Sequence, residues 1–340
     1  MRFACLVVAV ICLFADVPTL AAPREAESAA RESSDDLAVR EAIMRRVDAL
    51  LKAEDFAALN RLDEEYRTTR ARTPSGLWKL AAFHSGVRRH IARAQPTDEC
   101  VSESGPLLKR WLAADPSAPA PIITQASVLL EQAWCKRHDS AWGTQAFLTD
   151  AYTADQWLAD HKASASIDPE YYATAEDVGF VTRSKKADFE RLMAEGISRE
   201  PGYYGLYFSA MKYYLPDAYG STEEVDRIAR LAAEKTASSD GTGAYARVYW
   251  SYVECGCSIW QSAVDWKLMK RSMADVVTRY PSDWNVVNFA RIACAMGDGS
   301  EAAKYLARAG NDDGQAWESD DEREQCIALA GLPKARTASR

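Results

Sequence analysis

Histidine is scarce in this chain: His84, His90, His138 and His161 are the four among 340 residues. No two stand at i and i+4 and no HExxH occurs, so the sequence cannot place two imidazoles on one helical face as a zinc hydrolase requires. Each reads as a surface or hydrogen-bonded histidine rather than a metal ligand. A phosphate-cradling glycine loop after a strand is missing, and so is a GxSxG elbow, which leaves nucleotide binding and α/β-hydrolase chemistry without support. Ser209-Ala210-Met211-Lys212 matches SxxK, but the companion SDN and KTG motifs are lacking. About one such match arises by chance in a chain of this length. No cofactor, metal or catalytic residue is assigned from sequence.

Strand-forming runs are equally sparse. The longest β-branched stretch, Val7 to Ile11, falls in the N-terminal leader, and the chain holds 17 glycines and 13 prolines. An all-α chain is expected. A basic excess is lacking too: the net charge is −8, which argues against nucleic acid or an anionic membrane as main partner. One long apolar run exists, Phe3 to Ala15, preceded by Arg2, closed by Asp16 and Pro18, and followed by the small residues Ala21 and Ala22. It is shorter than the roughly 20 residues that span a bilayer. Residues 1–21 therefore read as a cleavable signal peptide, and no membrane span is expected in the mature chain. Neither Cys5 nor Cys12 sits in a lipoprotein cleavage pattern. A soluble periplasmic or secreted product is expected.

Apolar residues elsewhere recur at helical spacing. Ile43, Val47, Leu50 and Leu51 form one stripe, and Phe189, Leu192, Met193 and Ile197 another. Breaker clusters at Thr73-Pro74-Ser75-Gly76, Asp115-Pro116-Ser117, Pro216 to Gly220 and Gly297-Asp298-Gly299 separate such stretches, and Ser221 with Glu224 makes a capping box. About a dozen helices of 10–18 residues are expected. Asp168-Pro169-Glu170-Tyr171-Tyr172 is echoed by Glu200-Pro201-Gly202-Tyr203-Tyr204, 32 residues on. That approaches the roughly 34-residue tetratricopeptide period, with weaker versions at Tyr280-Pro281 and Asp115-Pro116. The expected organisation is a disordered linker over 22–35, a tetratricopeptide-like helical-repeat solenoid over 36–332, with two subdomains meeting near 115, and a disordered tail over 333–340.

Cysteine usage fits export. Cys100, Cys135, Cys255, Cys257, Cys294 and Cys326 remain after the leader, and an even count in an exported chain suggests disulfides. Separations of 35 and 32 residues favour Cys100–Cys135 and Cys294–Cys326, each stapling one helical hairpin. Cys255-Gly256-Cys257 reads either as a redox-active or soft-metal CxC site or as a structural disulfide element, and no second CxC or histidine cluster accompanies it.

Acidic runs at Asp63-Glu64-Glu65 and Asp320-Asp321-Glu322 read as solvated helix faces and N-terminal charge caps, and the spacing around Gly314 fails the EF-hand pattern. Aromatic residues crowd the segment from Tyr203 to Trp260. Tyr203, Tyr204, Tyr207, Tyr213, Tyr214, Tyr249 and Trp250 are candidates for a binding surface on the concave side of a solenoid. The alternative is that i, i+4 pairs such as Tyr203–Tyr207 and Tyr245–Tyr249 fill the core.

The segments Phe56 to Leu59 through Trp78, Glu200 to Tyr204, Tyr213-Tyr214-Leu215-Pro216, Tyr245 to Trp250, and Asn288-Phe289-Ala290 with Cys294 and Gly297-Asp298 together span most of the mature chain. In them the chain resembles the bacterial family known as domain of unknown function 4034. Where that family places a basic residue and a Trp after the Leu-Pro, this chain has Asp217-Ala218. The resemblance implies a helical, repeat-like fold and no chemistry. The leading expectation is thus a non-enzymatic scaffold that binds another envelope protein or a peptide. The competing one is a carboxylate-based, glycan-cleaving enzyme on an α/α scaffold, which needs two carboxyls roughly 5–9.5 Å apart.

Overall fold

A computed structural model describes residues 35–93, 105–136, 145–309 and 315–332. The leader, almost all of the 22–35 linker and the 333–340 tail lie outside the described residues. Seventeen α-helices and no named strand occur among them. In chain order these are α1 (Asp36–Lys52), α2 (Phe56–Thr69), α3 (Lys79–Arg93), α4 (Gly105–Ala114), α5 (Pro119–Cys135), α6 (Gln145–Asp160), α7 (Lys162–Ala165), α8 (Pro169–Thr182) and α9 (Lys186–Arg199). They continue with α10 (Gly205–Tyr213), α11 (Thr222–Lys235), α12 (Ala237–Asp240), α13 (Gly243–Glu254), α14 (Trp266–Arg279), α15 (Asp283–Ala295), α16 (Gly299–Leu306) and α17 (Asp320–Leu329). The all-α helical-repeat fold expected from the sequence is the fold observed. None of these helices is long and apolar enough to cross a membrane.

Local chemistry sets the helix starts. Asp35 caps α1 by accepting from the amides of Leu37 and Ala38, and Val39, Ile43, Val47 and Leu51 then descend one buried face at i, i+4 spacing. Ser221 caps α11 by accepting from the Glu224 amide, as the capping box predicts. Pro169 occupies the first turn of α8, where its missing N–H costs nothing, behind the N-cap Asp168. Successive helices lie against one another in a row: α3 on α5, α5 on α8, α8 on α10 and α10 on α13, flanked by α6, α9, α11 and α14. One apolar core runs from Val39 to Tyr305 and passes through the turn at 115 without a break.

The row bends around a single turn, residues 70–78 between α2 and α3. Arg70 ends α2 in the left-handed region, and the Thr73 amide bonds the Leu77 carbonyl. Ser75 is 1 % exposed: its amide donates to Asp36 at 2.7 Å, and its carbonyl accepts from both Arg247 of α13 and Asn285 of α15. Arg72 reaches the Tyr204 hydroxyl at 3.2 Å and Asp240 at 3.6 Å. Arg72 and Arg247 both lie over the rings of Tyr204 and Tyr280. Elements far apart in sequence therefore meet on one loop.

Gly76 is required there. Its φ is +93°, and a Cβ would stand 2.6 Å from the Tyr280 ring and 2.8 Å from Arg247. Gly76→Ala should destabilise the protein by about 2 kcal/mol, read as a lower urea midpoint with an unchanged slope.

The C-terminal helices form a smaller cluster around Val287, Ala293, Ala302, Ala316 and Trp317. Arg291 ties it together by bonding Glu254, Glu318 and Glu322. The predicted Cys294–Cys326 bridge is present, with Cα atoms 5.4 Å apart, linking α15 to α17. Cys135, at the end of α5, is also disulfide-bonded, and its predicted partner Cys100 lies outside the described residues. Replacing Cys294 and Cys326 by serine should cost about 2–4 kcal/mol, measured as a lower melting temperature that reducing agent depresses less than it does that of the native protein, since the bond at Cys135 remains.

Candidate functional site

Helix α8 is enclosed by α5, α6, α9 and α10, and nearly all of its residues are buried. A helix buried all round is normally apolar, yet this one carries Glu170, Glu176 and Asp177 and is capped by Asp168. Acidic side chains withdrawn from water need partners or protons. The arrangement of those partners defines the site.

At the N-terminus of α8, Asp168 accepts from the Glu170 amide at 2.8 Å and bonds the imidazole Nε2 of His84 at 2.9 Å. Asp63 of α2 stands 3.7 Å from the same nitrogen. All three side chains are buried. The sequence reading of Asp63-Glu64-Glu65 as a solvated face needs correction at its first residue: Asp63 lies on the apolar side of α2 with Leu59, Leu62 and Tyr66, while Glu64 and Glu65 are exposed. Burial, reinforced by the Asp168 charge, raises the Asp63 pKa well above the carboxylate range. Burial opposes charge on His84, but Asp168, with Glu170 and Asp63 behind it, outweighs it and raises its pKa. Burial also acts upward on Asp168, and His84 carries it below the ordinary value. The donor atoms lie within 4.8 Å of one another, a set that can hold a divalent cation.

The network continues toward an open pocket. Both oxygens of Glu170 are engaged, one by Arg88 of α3 and the other by the Tyr203 hydroxyl at 2.5 Å. Burial pushes Glu170 up, and Arg88 and His84 bring it below the usual range. Beyond them opens a cavity of about 460 Å³ between α3, α5, α8 and α10. Its walls are aromatic, from Trp78, Trp134, Tyr203, Tyr204 and Phe208. Five ionisable groups of opposite sign face it: Arg88, Glu131, Glu170, Asp177 and Lys212. Lys212 bonds Asp177 at 2.9 Å. Burial lowers the Lys212 pKa, but Asp177 more than compensates, so the ammonium is held charged. Glu131 has no hydrogen bond or ion pair among the described residues; burial raises its pKa and Arg88 offsets part of this. The indole N–H of Trp78 is buried without an acceptor. Deeper in α8, burial drives the Glu176 pKa well above its usual value, and neither side-chain oxygen has a hydrogen-bond partner.

The aromatic residues singled out from sequence divide between core and pocket. Tyr203, Tyr204, Tyr207, Tyr213, Tyr214 and Tyr249 are all at most 4 % exposed, so they do not line an open concave face. Each ring fills the core while its hydroxyl finds a partner: Tyr207 donates to the Pro201 carbonyl, Tyr213 to the Ser184 carbonyl, Tyr214 to Glu190 and Tyr249 to Asp226. Only Tyr203 and Tyr204 of this set reach the cavity. Trp250 is half-buried beside Trp284 and Phe289. Cys255 is half-buried at the end of α13 and Cys257 is buried. His90 bonds Asp48 and His161 bonds the Trp157 carbonyl, whereas His138 lies outside the described residues.

Ser209 and Lys212, the SxxK pair, both line the cavity, but an ammonium fixed by Asp177 cannot take the serine proton. Glu131, Asp177 and Arg88 were not marked by any sequence motif, and Glu170 only as part of the repeated segment at 168–172. The acid density of α8, a helix whose remaining residues are apolar or small, was the signal for Glu170 and Asp177; Glu131 on α5 and Arg88 on α3 had none.

Comparison with known proteins finds no matching family, no matching curated protein and no matching solved structure.

The buried triad predicts a pH dependence of stability. His84 has a raised folded pKa, so its contribution is complete below the unfolded value of about 6.5 and is lost as pH rises through the folded value. Asp63, also raised, acts in the same direction. Unfolding free energy should therefore fall as pH rises above about 6.5, and His84→Gln should flatten that slope in urea titrations.

Proposed function

We propose that the protein is an exported helical-repeat scaffold that binds a peptide segment of an envelope partner in the pocket between α3, α5, α8 and α10. The observation that carries this reading is the pairing of aromatic walls with a buried indole N–H that lacks an acceptor, that of Trp78, and a half-buried carboxylate, Glu131, that has no hydrogen bond or ion pair among the described residues. Buried polar groups without partners cost free energy that a ligand can recover. The cavity of about 460 Å³ lies within the usual range of ligand pockets, roughly 300–1,000 Å³. Export rests on the leader, and the peptide class on the mixture of aromatic and hydrogen-bonding wall groups.

The glycan-cleaving alternative has one observation in its favour: Glu131 is shifted up and Glu170 down in the same cavity, as an acid and a base would be. Against it, both Glu170 oxygens are already bonded, which commits the carboxylate to Arg88 and Tyr203 rather than to a sugar or a water.

Ser127 lines the cavity on α5, where a large side chain would fill it. In thermal-shift screens against pools of N-acetylated, C-amidated pentapeptides, the protein should be stabilised by a subset of pools. Ser127→Trp should abolish those shifts while retaining the helical circular dichroism. Equal shifts in both proteins, or none in either, would remove the pocket from this role.

A further inference from the structure

We infer that the pocket recognises an organic cation, a primary ammonium or a guanidinium, with the Glu131 carboxylate as its counter-ion and the rings of Trp78, Trp134 and Phe208 around it. This rests on the reading of the cavity as a binding pocket and specifies what it binds.

The inference follows from a charge balance. The groups facing Glu131 across the cavity are Arg88 from α3, Glu170 and Asp177 from α8, and Tyr203, Tyr204 and Lys212 from α10 and the turn before it. Arg88 is committed to Glu170, and Lys212 to Asp177. Burial pushes both tyrosine hydroxyls up, Tyr204 to about 12, so neither carries charge near neutrality. Glu131 is thus the one carboxylate on this wall without an ion pair of its own among the described residues, and Arg88, the cation that acts on it, is already committed to Glu170. An anionic ligand would find both cations already neutralised and would meet Glu131 as a like charge.

A cationic ligand would supply what Glu131 lacks. Aromatic faces suit the same ligand, since their electron-rich surfaces attract ammonium and guanidinium groups, the more so when water is excluded. A metal ion fits less well, because the wall offers a single uncommitted carboxylate where a hard cation needs several oxygens. Upward displacement of the Glu131 pKa by burial adds a signature: bringing a fixed positive charge alongside favours the carboxylate and releases a proton.

Glu131→Gln tests this cleanly, since the side chain makes no hydrogen bond or ion pair within the described fold. Four probes are titrated calorimetrically into the full-length secreted protein: acetyl-Ala-Lys-Ala-amide, acetyl-Ala-Arg-Ala-amide, acetyl-Ala-norleucine-Ala-amide and Ala-Ala-Ala-amide with a free N-terminus. At least one cationic probe should bind about tenfold more tightly than the norleucine peptide, and Glu131→Gln should erase that preference. The lysine and arginine arms report a side-chain cation, and the free-amine arm an N-terminal one. In two buffers of different ionisation enthalpy near pH 6, proton release should accompany binding to the native protein and vanish in Glu131→Gln.

Norleucine binding as tight as lysine and arginine, or a preference that survives Glu131→Gln, would overturn the inference. If the norleucine peptide binds equally well and Ser127→Trp still blocks it, the pocket retains its role and only the cation is wrong. If no probe binds, both readings fall.

Discussion

The Ser75 carbonyl holds the ends of this protein together. It accepts from Arg247 and Asn285, which lie on α13 and α15, while the amide of the same residue is fixed by Asp36 at the start of α1. A stack of helices needs only nearest-neighbour contacts to exist, and such a stack can flex along its length. A buried residue whose amide donates to α1 and whose carbonyl accepts from α13 and α15 removes that freedom, because releasing it strands a carbonyl and a guanidinium away from water. Arg72, sandwiched with Arg247 against Tyr204 and Tyr280, has the same effect: two like charges are tolerated side by side since aromatic faces and Asp240 absorb them. The curve of the helical row is therefore fixed by polar contacts at its centre and filled by apolar ones around it.

Helix α8 poses the opposite problem, charge placed where the fold least accommodates it. Its acids are handled in three ways. Asp168, Glu170 and Asp177 pair with His84, Arg88 and Lys212. Burial pushes the pKa of Glu176 well above the ordinary value, as it does for Asp63 on α2 beside the cap of α8. Glu131, across the cavity on α5, falls between these cases, shifted but still reached by the pocket. Buried pairs of this kind seldom add stability over an apolar core. Their cost makes most sense where they shape a surface that something else completes.

Most of the fold was legible in the sequence because it depends on periodicity and punctuation. The stripes through Val47 and Met193, the Ser221 capping box and the spacing of Cys294 from Cys326 all reappear as expected. The sequence gives about a dozen helices where seventeen occur, since four-residue turns such as α7 and α12 are too short to show a period. The aromatic segment left core and surface open for a physical reason: tyrosine at i, i+4 spacing suits both, and only the depth of the neighbouring helices decides. The site was illegible because its charges pair across 33 to 82 residues, as in Tyr203–Glu170 and Arg88–Glu170. No local pattern encodes a partner that far away.

The central turn and the pocket are not independent features. Leu77 and Trp78, which end the turn, form part of the cavity wall, and Tyr204 is shared, its ring stacked under Arg72 and Arg247 while it also faces the cavity. The pocket therefore has one wall that exists only when the row of helices has closed around residues 70–78. Closing the row places Trp78 against Tyr203, with ring centroids 5.4 Å apart, and Tyr203 in turn holds Glu170 and, through it, Arg88. Arg88 is thereby committed to Glu170, and the central turn and the cavity share Trp78 and Tyr204 as common walls.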